Sequence, residues 1–180
     1  MLFLALNYQQ MVLPANVGGL AIVGVEGSGI YHDAIETKGD GIVRIFDVRS
    51  KLGTSSVLTC STPMDEHCDI QLSPCGYYFA VCGSTGPASK GVKGDVTFVF
   101  DLRKVSQPYS KLMADFAPSS NISNGTQAVL WTQSGSLLTG DADGCVRMWN
   151  VHRNEITKTI AGHDGAINRL SFSHGKNYLN

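Results

Sequence analysis

The chain has 180 residues, 14 Lys+Arg against 15 Asp+Glu for a formal net charge of −1, and 43% hydrophobic positions, which is the size and composition of a domain with a substantial core. Charge this balanced excludes a strongly basic nucleic-acid surface as the main feature, because phosphate binding draws on clustered Lys and Arg. No apolar run approaches the roughly 18 residues of a membrane helix, and the short apolar start, residues 1–6, has no preceding basic residues, so neither a membrane span nor a signal peptide is expected. The five cysteines, Cys60, Cys68, Cys75, Cys82 and Cys145, contain no CxxC pair. They make a poor disulfide framework and a poor zinc set, and fit a reducing compartment.

Glycine is abundant at 20 residues, short β-rich runs alternate with turn signals, and no window holds an amphipathic helix period, so the expectation is all-β. The first apolar run is 20–25. Gly24-Val25-Glu26-Gly27-Ser28-Gly29 is spaced like a phosphate loop, but no helix pattern follows to present its amides, and a hairpin turn explains it. Next comes Asp40-Gly41-Ile42-Val43-Arg44-Ile45-Phe46-Asp47-Val48-Arg49. An apolar run at 68–72 closing on Ser73-Pro74-Cys75-Gly76, and another at 77–82, lead to Gly94-Asp95-Val96-Thr97-Phe98-Val99-Phe100-Asp101-Leu102-Arg103. Runs at 128–132 and 136–139 lead to Asp143-Gly144-Cys145-Val146-Arg147-Met148-Trp149-Asn150-Val151-His152. A further copy begins after Gly162-His163 with Ala166-Ile167-Asn168-Arg169-Leu170-Ser171-Phe172 and is unfinished at the end of the sequence.

These segments are one pattern written three times: a Gly/Asp turn, a strand ending on an aromatic, then Asp or Asn, an aliphatic residue and a basic residue or His. The anchors Phe46, Phe100 and Trp149 are 54 and 49 residues apart, longer than the roughly 40–45 of a propeller repeat, with insertions expected at 28–38 and 85–93. Strand alternation places Val43, Ile45, Val96, Phe98, Val146 and Met148 on an inward parity. Arg44 and Arg147 hold equivalent strand positions and must reach the rim or meet an acid. Tyr77, Tyr78 and Phe79 read as packing residues, and His32, His67, His152, His163 and His174 as loop or structural histidines.

On these residues, from about Leu20 to the end, the chain resembles the WD40-repeat β-propeller family, most specifically at Leu137-Leu138-Thr139-Gly140-Asp141-Ala142-Asp143-Gly144-Cys145-Val146-Arg147-Met148-Trp149-Asn150. The resemblance implies an incomplete WD40-type propeller of about three to four blades, with units near 1–60, 61–117, 118–162 and an unfinished 163–180, and hence a part of a longer propeller or a truncated product. It also implies a structural hydrogen-bonded chain drawing on Thr139, Asp143 and Trp149. The chain's fourth member, a Gly-His, is replaced before Ala128 by Ser123-Asn124-Gly125-Thr126, and His163 belongs to the next unit, so the polar chain is expected to be complete nowhere. Phe46-Asp47-Val48-Arg49 and Phe100-Asp101-Leu102-Arg103 are similar to the WDxR box of cullin-4 ubiquitin-ligase substrate receptors, which makes Arg49, Arg103, Asp47 and Asp101 candidate partner-binding residues. The bland alternative is that both arginines cap turns or pair with local acids.

The resulting expectation is a non-enzymatic, nuclear or cytoplasmic scaffold that binds protein partners, extending to a cullin-4 adaptor or chromatin-associated proteins, with no catalytic residue, metal, cofactor or membrane contact. Two alternatives remain: a propeller enzyme or small-molecule binder using the central channel, and a nucleic-acid or lipid-headgroup binder, for which Lys90-Gly91-Val92-Lys93 is the one local hint.

Overall fold

The computed structural model describes residues 10–12, 20–24, 41–47, 58–64, 66–84, 96–114 and 126–172. Among them are twelve strands and no helix. They form three four-stranded antiparallel sheets. The first holds β1 (Gln10–Val12), β2 (Leu20–Gly24), β3 (Ile42–Asp47) and β4 (Leu58–Ser61); the second β5 (Glu66–Leu72), β6 (Tyr78–Ser84), β7 (Val96–Asp101) and β8 (Ser110–Met113); the third β9 (Ala128–Trp131), β10 (Leu137–Gly140), β11 (Cys145–Asn150) and β12 (Glu155–Ala161). Each sheet is a meander in which consecutive strands pair. The first strands meet across sheets, β5 touching both β1 and β9. Sheets gathered on their first strands and packed face to face are the blades of a propeller.

The expected second strands are present as β2, β6 and β10, and the three aromatic-terminated strands as β3, β7 and β11. Residues 166–172 of the unfinished copy are not strand. Ile167 is nonetheless buried, and its amide donates to the Asp141 carbonyl at 3.1 Å. The expected insertions at 28–38 and 85–93 lie outside the described residues.

Two apolar clusters weld the blades. Between the first and second, Val43, Ile45, Cys60 and Met64 meet Ile70, Phe79, Val81, Val96, Phe98 and Phe100. The Phe79 and Phe100 rings there stack with centroids 5.2 Å apart and planes 13° apart. Between the second and third, Ala80, Cys82, Val99 and Leu112 meet Val129, Trp131, Leu137, Trp149 and Val151. The second blade thus sends alternate side chains to opposite neighbours, as the two-residue period of a strand demands. All of Val96, Thr97, Phe98, Val99 and Phe100 are buried as a result. In the third blade the expected inward parity is corrected: Val146 and Met148 are only half-buried, while Arg147 and Trp149 face the second blade and are buried.

Two hydrogen bonds add register to the second interface. The Val129 amide donates to Asp69 Oδ2 at 3.0 Å, and Trp131 Nε1 donates to the Gln71 carbonyl at 3.2 Å. A register shift in β5 between His67 and Asp69 accompanies this reach. Burial raises the Asp69 pKa above its ordinary 3.8, against the opposing pull of the Val129 amide and Arg169. A carboxyl raised by folding binds its proton more tightly in the native state, so its contribution to stability falls as pH rises from the unfolded value to the folded one.

Asp69→Asn keeps an acceptor for the Val129 amide and removes the buried charge. Urea unfolding at pH 7 should therefore show stability equal to or above that of the parent chain, without this pH dependence. Asp69→Ala leaves the amide unpaired and should cost about 1–3 kcal/mol.

Candidate protein-docking face

In a meander the turns after the first and third strands emerge at the same end of the sheet. The β5–β6 and β7–β8 turns of the second blade therefore lie beside the β9–β10 and β11–β12 turns of the third. Three features occupy this end.

The first is the Asp101–Arg103 pair. Arg103 closes a clamp on one carboxylate: its amide and Nε donate to Asp101 Oδ1 at 2.9 and 2.8 Å, and Nη2 donates to Oδ2 at 2.7 Å. Nη2 also reaches the Tyr78 hydroxyl at 3.3 Å. The guanidinium carbon lies 4.7 Å from the Tyr77 ring centroid and 5.7 Å from that of Tyr78. The Arg103 side chain remains 57% exposed, so the pair orders the arginine without hiding it. Its hydrogen bond holds the Asp101 carboxyl below the usual carboxylate range. Asp47 ends β3; its side chain and all of Arg49 lie outside the described residues.

The second is a cleft of about 250 Å³ between the second and third blades, lined among others by Cys75, Tyr78, Tyr109, Trp131, Val151 and His152. His152 stands at the position equivalent to Arg103. It pairs with the Tyr109 hydroxyl through Nδ1 at 2.6 Å, and the two rings meet edge to face at 5.8 Å. Tyr78 lies 5.1 Å from Tyr109, locking the rings together.

The third is Cys75, exposed in the β5–β6 turn. Slight burial raises its pKa, but the Ser73 hydroxyl at 3.2 Å and the amides of Tyr77, Tyr78 and Cys75 itself outweigh this and bring it below the ordinary thiol value. Burial pushes Cys60 up to about 11 and raises Cys82 well above the ordinary thiol value, and Cys145 is also raised, by burial and then by Asp143.

Within the third blade the expected polar chain takes a different form. Trp149 Nε1 donates to Thr139 Oγ1 at 3.0 Å, Thr139 donates to Asp141 Oδ2 at 3.2 Å, and Thr126 donates to Asp141 Oδ1 at 3.0 Å. The acid is Asp141, not Asp143, and Thr126 stands at the far end in place of a histidine, so a four-member chain is complete here. Asp143 sits beyond the turn, where it pairs with Arg147 Nη2 at 2.5 Å, while Arg147 Nη1 reaches Asp141 at 2.5 Å. Arg147 thus meets two acids, and Asp143, although burial raises it, is held low by that partner. His163 is exposed. What it presents to the blade is its carbonyl, packed so tightly on Gly144 that a Cβ there would lie 2.1 Å from the oxygen. Gly144 also has φ +77, which glycine alone adopts cheaply.

Four-stranded antiparallel blades arranged around their first strands define a β-propeller. The model of the family described as WD domain, G-beta repeat matches residues 116–150, which include β9, β10 and β11. The chain is 24% identical over 156 residues to the WD repeat-containing protein VIP3 of Arabidopsis thaliana, covering 86% of this chain and 46% of that protein. It is 23% identical over 163 residues to the WD repeat-containing protein RUP2 of the same plant, covering 89% of this chain and 37% of that protein. The solved Dos1 propeller superposes with a TM-score of 0.64 at 20% identity, over 92% of this chain and 36% of that one. The fold is that of a β-propeller, residues 116–150 match the WD repeat model, and the chain spans less than half the length of the curated relatives it matches.

Alkylation with N-ethylmaleimide at pH 7, followed by peptide mass mapping, should modify Cys75 well before Cys60 and Cys82; equal rates would contradict the hydrogen-bonded turn. Arg147→Met should destabilise the chain by about 3–5 kcal/mol by leaving Asp141 buried without its cation, and adding Asp141→Asn should recover most of the loss. Thermal or urea unfolding measures both.

Proposed function

We propose that the protein is a non-enzymatic scaffold, nuclear or cytoplasmic, whose turn-bearing end docks other proteins, and that it serves as a substrate receptor of a cullin-4-type ubiquitin ligase through Arg49 and Arg103. The observation that carries this reading is the Arg103 arrangement: an arginine clamped by Asp101, flanked by two tyrosines, and still more than half exposed. Such a side chain retains little freedom that a partner would need to remove, and its planar guanidinium suits carboxylates and carbonyls at a partly desolvated interface. Asp101 acts as the holder of Arg103, and Asp47 stands at the equivalent sequence position in the preceding copy. The equivalence of Phe46-Asp47-Val48-Arg49 with the second copy extends the face to the neighbouring blade.

Affinity capture with the full-length protein should recover the cullin-4 adaptor, and Arg49→Glu with Arg103→Glu should reduce recovery at least tenfold while the thermal midpoint stays in place. Recovery unaffected by both reversals removes the ligase reading and leaves the scaffold.

A further inference from the structure

The cleft between the second and third blades lies beside Arg103 and is not needed for the clamp on Asp101. Its volume of about 250 Å³ falls below the roughly 300–1,000 Å³ of small-molecule sites, which points to one large side chain rather than a metabolite. Its walls suit that occupant. Tyr78, Tyr109, Trp131 and Val151 supply apolar surface, and the hydrogen bond between Tyr109 and His152 together with the ring contacts fixes the walls before anything binds. Walls already ordered lower the entropic cost of binding.

The charges around the cleft favour one sign. The β7–β8 turn carries exposed Arg103 and Lys104, and the β11–β12 turn carries exposed Arg153. Asp101 is held by Arg103 and offsets part of its charge, and Glu155 begins β12, so the cations that carry the positive balance here are chiefly Lys104 and Arg153. This locally cationic setting, on a chain of net charge −1, complements carboxylates flanking the inserted side chain.

We propose that this cleft binds an acidic peptide segment of a partner protein, one large apolar side chain entering between Tyr78, Tyr109 and Trp131 while neighbouring carboxylates face Arg103, Lys104 and Arg153. The site rests on the reading of the chain as a protein-binding scaffold and deepens it by naming what a client segment must carry. Cys75 at the rim provides a handle, since its exposed thiol can be capped without touching the apolar walls.

The test uses the full-length protein and a fluorescein-labelled pentapeptide with tryptophan at its centre and two carboxylate residues on each side, read by fluorescence anisotropy. Saturable binding is expected. It should weaken at least tenfold when the peptide's tryptophan is replaced by alanine, when its flanks are lysine, when Ser134→Trp fills the cleft from the exposed β9–β10 turn, or when Cys75 is capped with N-ethylmaleimide. Absence of saturable binding overturns the proposal, as does binding that survives both Ser134→Trp and the capped thiol. Adaptor capture measured on the same proteins separates the two ideas: a silent peptide alongside capture still sensitive to Arg49→Glu and Arg103→Glu removes the cleft and leaves the scaffold reading standing.

Discussion

A propeller blade is a sheet with two apolar faces, and every other feature of this molecule follows from the need to cover both. The second blade meets the condition in full: Phe79, Phe98 and Phe100 face one neighbour, and Ala80, Val99 and Leu112 face the other. By strand pairing, Leu112 opposite Thr97 in the second blade corresponds to Ile160 opposite Val146 in the third, and counting from the aromatic anchors Val99 corresponds to Met148. Leu112 is 2% exposed where Ile160 is 50%, and buried Val99 contrasts with half-buried Met148. The same sequence positions acquire opposite burial because a third blade covers one and the described residues place no blade on the other. At roughly 25 cal/mol per Å² of apolar surface, that difference makes blade stacking, rather than any single strand pairing, the main source of stability.

Among the described residues the buried polar side chains on these faces have partners, the Thr97 hydroxyl excepted. Asp69 lends its carboxylate to the Val129 amide, the Trp131 indole finds the Gln71 carbonyl, and Asp141 collects two hydroxyls and a guanidinium. These bonds are directional where the apolar contacts are not, so they fix the height at which one blade sits on the next. The fixed height brings Tyr109 of the second blade to His152 of the third, and the cleft exists because those two turns meet.

Much of the fold was legible in the sequence. Three strands ending in Phe46, Phe100 and Trp149 announce themselves through turn, alternation and aromatic, and the strands before them through apolar runs. The fourth strands were not, for physical reasons: β4 and β8 are four residues each, too short for the alternation that buries Ser110 and Leu112 in β8 to stand out, and β12 is exposed along its whole length. Glu155–Ala161 does hold four β-branched residues in seven, a signal that could have revealed it. The expected inward parity does not align across the copies: three residues before each aromatic stand Val43, Thr97 and Val146, so Val96 and Phe98 of the second copy belong to the opposite face, and Val146 and Met148 are half-buried because the described residues place no blade against them.

At the candidate docking face, the pairing of Arg103 with a local acid was legible as the bland alternative, because Asp101 and Arg103 are neighbours in sequence. Asp141 was obscured by the more familiar Asp143-Gly144 turn, although its two-residue spacing from Thr139 puts both on one face of the strand. Thr126 could not be seen as a chain member without knowing where it enters β9. The cleft was invisible, since Cys75, Tyr109, Trp131 and His152 come from four different turns and strand ends that only stacked blades bring together.

Amide hydrogen exchange on the full chain tests the stacking constraint most directly. The amides of β6 and β7 should exchange slowest and together with those of β9 and β10, and the amides of β12 many times faster. Protection of β12 equal to that of β7 would contradict a blade stack held by its faces.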